Sequence, residues 1–109
     1  MFWTLLVSLT TSSRADPPYH LTTVSWVISE KDNLDTDDRY VTLIGRITKK
    51  IDDGSYWFSD GTGSVRLDTG SSALPVGEKL VIGGRIDQAY LGFGHLEVDV
   101  KQWQYAKNP

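Results

Sequence analysis

Two stretches of the chain, LIGRI at Leu43–Ile47 and IGGRI at Ile82–Ile86, set a glycine inside a run that alternates in polarity. In the first, Val41, Leu43 and Ile47 share one parity with Gly45 between them, while Thr42, Ile44, Arg46 and Thr48 take the other. In the second, Leu80, Ile82 and Ile86 stand against Val81 and Arg85, and Gly84 holds the place of Gly45. A period of two describes a strand with one buried face. A glycine on the buried side lets such a strand bend sharply or lets another chain pass close. Two long strands bent in this way point to a small barrel. Their likeness is one mechanical demand met twice, not a repeat unit.

The rest of the chain fits around these strands. Asp52, Asp53 and Gly54 supply a turn into a second strand at Ser55–Ser59, and Asp60, Gly61, Thr62 and Gly63 supply another into Ser64–Asp68, where Val65 and Leu67 face inward. Gly70 to Glu78 is loop, too short for a substantial helix. Leu96, Val98 and Val100 alternate with Glu97, Asp99 and Lys101 in a last strand. Trp103 and Tyr105 switch parity, which indicates a bulge near Lys101 or a strand end leaving the core. Upstream, Val24, Val27 and Ile28 fall at helical spacing behind Thr22 or Thr23, so Thr22 to Glu30 predicts a two-turn helix capping the barrel end. The run KDNLDTDD lacks the glycine and glutamate of a calcium loop and reads as a solvated acidic loop. The expected fold is therefore all-β with small helical content, a five-stranded OB-fold barrel with a short N-terminal helix. Residues 22–106 form the domain, 16–21 a linker and 107–109 a tail.

Composition narrows the function. A chain of 109 residues holds one domain. Eleven basic against 14 acidic residues, a net charge of -3, give no electrostatic footprint for phosphate neutralisation. With no cysteine, disulfide scaffolds, thiolate zinc sites and cysteine nucleophiles are all excluded. No apolar run is long enough to span a bilayer as a helix. Phe2 to Leu9 is a short apolar run, and Ser13 and Ala15 put small residues where a signal peptidase reads. Residues 1–15 thus read as a shortened signal peptide cleaved after Ala15, or as a buried strand, since no Lys or Arg precedes the run.

Ligands of OB-folds lie across the second and third strands, flanked by the loops between strands one and two and between four and five. That face offers an aromatic from Tyr56, Trp57 or Phe58, with Arg66 and Asp68. The three aromatics cannot all point inward. If Tyr56 and Phe58 are core, Trp57 faces out beside Arg46 or Arg66, where it stacks on a ligand or simply covers the barrel flank. Tyr90 and Phe93, in a glycine-rich loop ahead of His95, offer contact area or fold back over the barrel mouth. Neither His20 nor His95 has a nucleophile or ligand at motif spacing, so no catalytic, metal or cofactor site is expected. Glu97 and Asp99 share a face with Lys101, the pattern of a half-solvated strand.

The segments VTLIGRITKKI, YWFSDGTGSVRLD, KLVIGGRID and HLEVDVKQW resemble the bacterial OB-fold (BOF) family of small exported, stress-associated proteins, over most of residues 22–106. The resemblance implies a non-enzymatic, soluble binding domain exported to the periplasm. With residues 1–15 as a signal peptide the chain is expected to be periplasmic or secreted, and it is expected to be a monomer. Its ligand would be a small molecule, cation, peptide or cell-envelope component. The chain departs from that pattern in a signal that is short and lacks a positive start, in the long acidic loop KDNLDTDD, and in SSALPVG in place of the family's tryptophan after the third strand. The alternative function is single-stranded nucleic-acid binding through Trp57, Arg46 and Arg66, and a third is a structural domain pairing through a strand edge.

Overall fold

The computed structural model describes residues 19–34, 39–87 and 96–106. The signal-like segment, most of the Asp16–His20 stretch and Asp35, Asp37 and Asp38 of the acidic run lie outside the described residues. Those described form β1 (His20–Leu21), α1 (Val24–Glu30), β2 (Tyr40–Asp52), β3 (Ser55–Ser59), β4 (Ser64–Asp68), β5 (Lys79–Asp87) and β6 (Glu97–Tyr105).

Strands β2 to β6 close on themselves. β2 pairs antiparallel with β5 from Tyr40 to Arg46, then with β3 from Arg46 to Asp52, so one strand serves two neighbours in succession. β3 pairs with β4, β4 runs parallel to β6, and β6 pairs with β5, completing the ring. This is the expected five-stranded OB-fold barrel. The end assigned to the linker differs from expectation: His20 and Leu21 add a two-residue strand parallel to β2, opposite Val41 and Thr42. Backbone pairing is blind to side-chain pattern over so short a length, so no periodicity marked it.

The inward parity of each strand is the core. Val41, Leu43, Phe58, Leu67, Leu80, Ile82, Ile86 and Val98 are fully buried, and Val24 and Val27 of α1 join the same cluster. Burying a side chain of this kind contributes roughly 1.5–3 kcal/mol, so the ring is held from inside. The parity switch at the end of β6 is a bulge: Gly83 pairs with Gln102 and Gly84 with Val100, leaving Lys101 as the extra residue.

Gly45 and Gly84 are required by close approach. A Cβ at position 45 would collide with the Ser59 carbonyl oxygen and stand 2.9 Å from both Asp60 Cα and Phe58 Cζ. At position 84 it would stand 2.6 Å from the Asp99 carbonyl oxygen and from Val98 Cγ1. Backbone atoms cannot rotate away, so in both places the neighbouring strand occupies the room a side chain would need.

The helix is fastened to the β3–β4 turn through its first-turn amides, which have no partner inside a helix. Val24 N–H donates to Asp60 Oδ2 at 2.9 Å, Ser25 N–H to Thr62 Oγ1 at 3.0 Å, and Trp26 N–H to Oγ1 of the cap residue Thr23 at 3.2 Å. Burial works to raise the Asp60 carboxyl. Hydrogen bonds from the Thr62 hydroxyl and from the Val24 and Thr62 amides outweigh it, so the group is held below its ordinary value of 3.8.

Gly45→Ala is expected to lower the free energy of unfolding by about 2 kcal/mol or more, as overpacking against backbone does; chemical denaturation reads this out, and an unchanged midpoint contradicts the close-approach argument. Asp60→Ala is expected to cost about 1 kcal/mol near neutral pH. Because the folded carboxyl is depressed, its stabilisation is present above the ordinary Asp value and is lost as pH falls through the lowered one. Denaturation at successive acid pH values should therefore show the gap between native chain and variant closing.

Candidate ligand face

Outward residues of β3, β4 and β6 make one continuous surface, because directly paired residues share a face. One row across it reads Lys49, Trp57, Arg66, Glu97 and Asp87. The next reads Ser55, Asp68, Asp99, Arg85 and Tyr40. Trp57 stands in the first row, between Lys49 and Arg66, and is 40% exposed. Arg66 beside it is half-buried; its Nη2 donates to Ser55 Oγ at 3.3 Å, while its Nε is buried with no hydrogen-bond partner. The guanidinium has five N–H donors in all, so its exposed nitrogens can still donate outward.

The surface is balanced in charge. Lys101 Nζ lies 2.9 Å from Asp99 Oδ2, and Arg85 Nη1 lies 4.0 Å from Asp87 Oδ1. Lys101 is pushed above its ordinary value by the hydrogen bond from its ammonium to Asp99. Glu97 is raised above its ordinary value of 4.5, first by desolvation and then by Asp68, with Asp87 and Asp99 adding to it and Arg66 opposing. The face can therefore stack an apolar or planar group on Trp57, donate from Arg66 and accept at several carboxylates. It has no run of cations to follow a phosphate backbone.

The residues expected in the site divide. Trp57, Arg66 and Asp68 come together as the sequence indicated. Tyr56 is corrected: it is buried, and Leu74 N–H donates to its hydroxyl at 3.1 Å, so its ring is core and its polar tip holds the β4–β5 connection. Arg46 does not stand beside Trp57. The register puts it opposite Ser59, and Thr48 is an extra residue that brings Lys49 opposite Trp57. Tyr90, Phe93 and His95 lie outside the described residues. Glu97, read as an ordinary solvated charge, is the direct neighbour of Arg66. That adjacency comes from the parallel closure of β4 on β6, which joins strands far apart in sequence and leaves no local signal.

A closed five-stranded barrel of this strand order defines an OB-fold domain. The chain belongs to the bacterial OB fold (BOF) protein family, whose model matches residues 14–105. A protein of Haemophilus influenzae, described as uncharacterized, is 35% identical over 76 residues, which span 65% of this chain and 61% of that protein's length. The structure of the hypothetical protein ygiW from E. coli has a TM-score of 0.60 at 27% identity, covering 84% of this chain and all of that one. The telomere capping protein Ten1 of S. pombe shares the fold, with a TM-score of 0.57 at 22% identity over 82% of each chain. Among the described residues, no helix is long and apolar enough to cross a membrane.

Glu97→Gln tests the electrostatics of the face. A raised carboxyl destabilises the fold when charged, so the variant should have the higher urea midpoint at neutral pH, by less than about 1 kcal/mol. The difference should vanish as pH falls through the raised value toward 4.5. A lower midpoint for the variant at neutral pH contradicts the assignment.

Proposed function

We propose that this chain is a non-catalytic binding module that takes its ligand across β3, β4 and β6, centred on Trp57 and Arg66. The observation that carries this reading is the juxtaposition of a tryptophan 40% exposed with a half-buried arginine. Finding an exposed aromatic beside a half-buried guanidinium on the face OB-folds use for ligands favours an occupant that stacks on Trp57 and accepts from the outer nitrogens of Arg66.

The balance of Lys49, Arg66, Arg85 and Lys101 against Asp68, Asp87, Glu97 and Asp99 favours a small molecule, cation, peptide or cell-envelope component over a polyanion. Export to the periplasm or beyond is part of the proposal, supported by the apolar run Phe2 to Leu9 and the small residues Ser13 and Ala15. A role in envelope or stress physiology follows from that placement and from the family resemblance.

Two titrations test the reading. Labelled single-stranded oligonucleotide should not bind measurably at an ionic strength of about 0.15 M. A ligand found by thermal-shift screening of envelope components, peptides and small metabolites should lose at least about tenfold in affinity in Trp57→Ala and in Arg66→Gln. Micromolar oligonucleotide binding with a steep salt slope would replace this reading by single-strand recognition. Ligand binding indifferent to both substitutions would move the site elsewhere on the barrel.

A further inference from the structure

Where β2 leaves β5 for β3, the two partners diverge and a cleft of about 530 Å³ opens between them, lined by Ile44, Arg46, Thr48, Ser59, Asp60 and Lys79 with the backbone of Gly45 and Gly61. That volume falls in the range of small-ligand sites. It lies along β2 and β3 from the Trp57 face and does not depend on it.

The register sets Arg46 directly opposite Lys79 on one side and Ser59 on the other, three outward residues in one row. Like charges directly opposed on neighbouring strands are destabilising. Neither cation forms an ion pair among the described residues. Arg46 is held in place: its Nη1 donates to the Gly77 carbonyl at 3.0 Å, and Gly77 N–H is itself tied to the Ile47 carbonyl at 2.9 Å. A guanidinium has five N–H donors, so most remain for an incoming group. Ser59 Oγ accepts from Gly61 N–H at 3.2 Å, leaving its own proton to donate.

Asp60 is the one carboxylate in the lining, and its oxygens are engaged by the Val24 amide and by the amide and hydroxyl of Thr62. Its charge still offsets one of the two cations. The cleft therefore has a single net positive charge, which suits a monoanion better than a doubly charged phosphate. On the same strand face Ile44 is 39% exposed, an apolar floor next to the cationic row.

We propose that this cleft is a binding site for a carboxylate bearing an apolar substituent, with the carboxylate on Arg46, Lys79 and Ser59 and the apolar part against Ile44. Such a group is presented by a free aliphatic acid or by the C-terminus of a peptide ending in an apolar residue. The shared chemistry is what the cleft recognises.

The test is a heteronuclear NMR titration of the full chain at constant ionic strength with sodium hexanoate, hexanamide, inorganic phosphate and an acetyl-capped peptide ending in leucine. Hexanoate should give saturable shifts at the amides of Gly45, Ser59, Gly61 and Lys79, at least about tenfold tighter than hexanamide, as loss of a charge-assisted contact implies. Tighter binding of the capped peptide than of hexanoate assigns the site to a chain terminus, and the reverse to a free acid. Lys79→Gln should weaken hexanoate by several-fold while raising the urea midpoint of the unliganded protein, because the opposed cations no longer repel. Trp57→Ala should leave hexanoate binding unchanged. Equal binding of hexanoate and hexanamide, tighter binding of phosphate, or a Lys79→Gln variant that binds as before with a lowered midpoint overturns the proposal.

Discussion

The carbonyl oxygen of Ser59 occupies the space that any side chain at position 45 would need, and the barrel depends on this approach. It is the point at which β2 gives up β5 and takes β3 as its partner. A strand can serve two neighbours in succession only if it turns between them. Gly84 meets the matching demand on β5, where the Asp99 carbonyl and Val98 come equally close and the Lys101 bulge adds twist. With both bends in place, β4 and β6 meet in parallel and the sheet loses its free edges across the ring.

The two surfaces proposed for binding are consequences of this closure. Pairing β4 with β6 sets Glu97 against Arg66 and Asp99 against Asp68, turning a set of ordinary outward charges into a balanced field around Trp57. The change of partner on β2 opens the cleft that holds Arg46 and Lys79. One surface thus combines an aromatic platform with both signs of charge, and the other concentrates donors over an apolar floor.

Much of this was legible in the residues. The alternation of Val41, Leu43 and Ile47, of Leu80, Ile82 and Ile86, and of Val65 and Leu67 placed the core, because a period of two is a local signal. The switch at Trp103 and Tyr105 marked the bulge, and the crowding of Tyr56, Trp57 and Phe58 indicated that one ring had to face out. Three things were not legible, each for want of a local signal. The two-residue strand at His20 and Leu21 is too short to carry a pattern. The extra residue Thr48 shifts the register so that Lys49, not Arg46, meets Trp57. The neighbours of Arg66 and Arg46 across the barrel, Glu97 and Lys79, are set by long-range pairing. Asp60 to Gly63 carry the local signal of a turn, yet Asp60 and Thr62 also hold the first turn of α1, a long-range contact with no local mark.

The central claim is that the five strands form one closed ring rather than an open sheet, and amide hydrogen exchange in the native protein tests it most directly. Closure predicts that the hydrogen-bonded amides of Arg66 to Asp68 and Glu97 to Asp99 exchange as slowly as those joining β2 to β5, through a single global opening. If the β4–β6 amides exchange at the rate of the loops while the β2–β5 amides stay protected, the ring is open there, and the face around Trp57 and Arg66 is not the surface described.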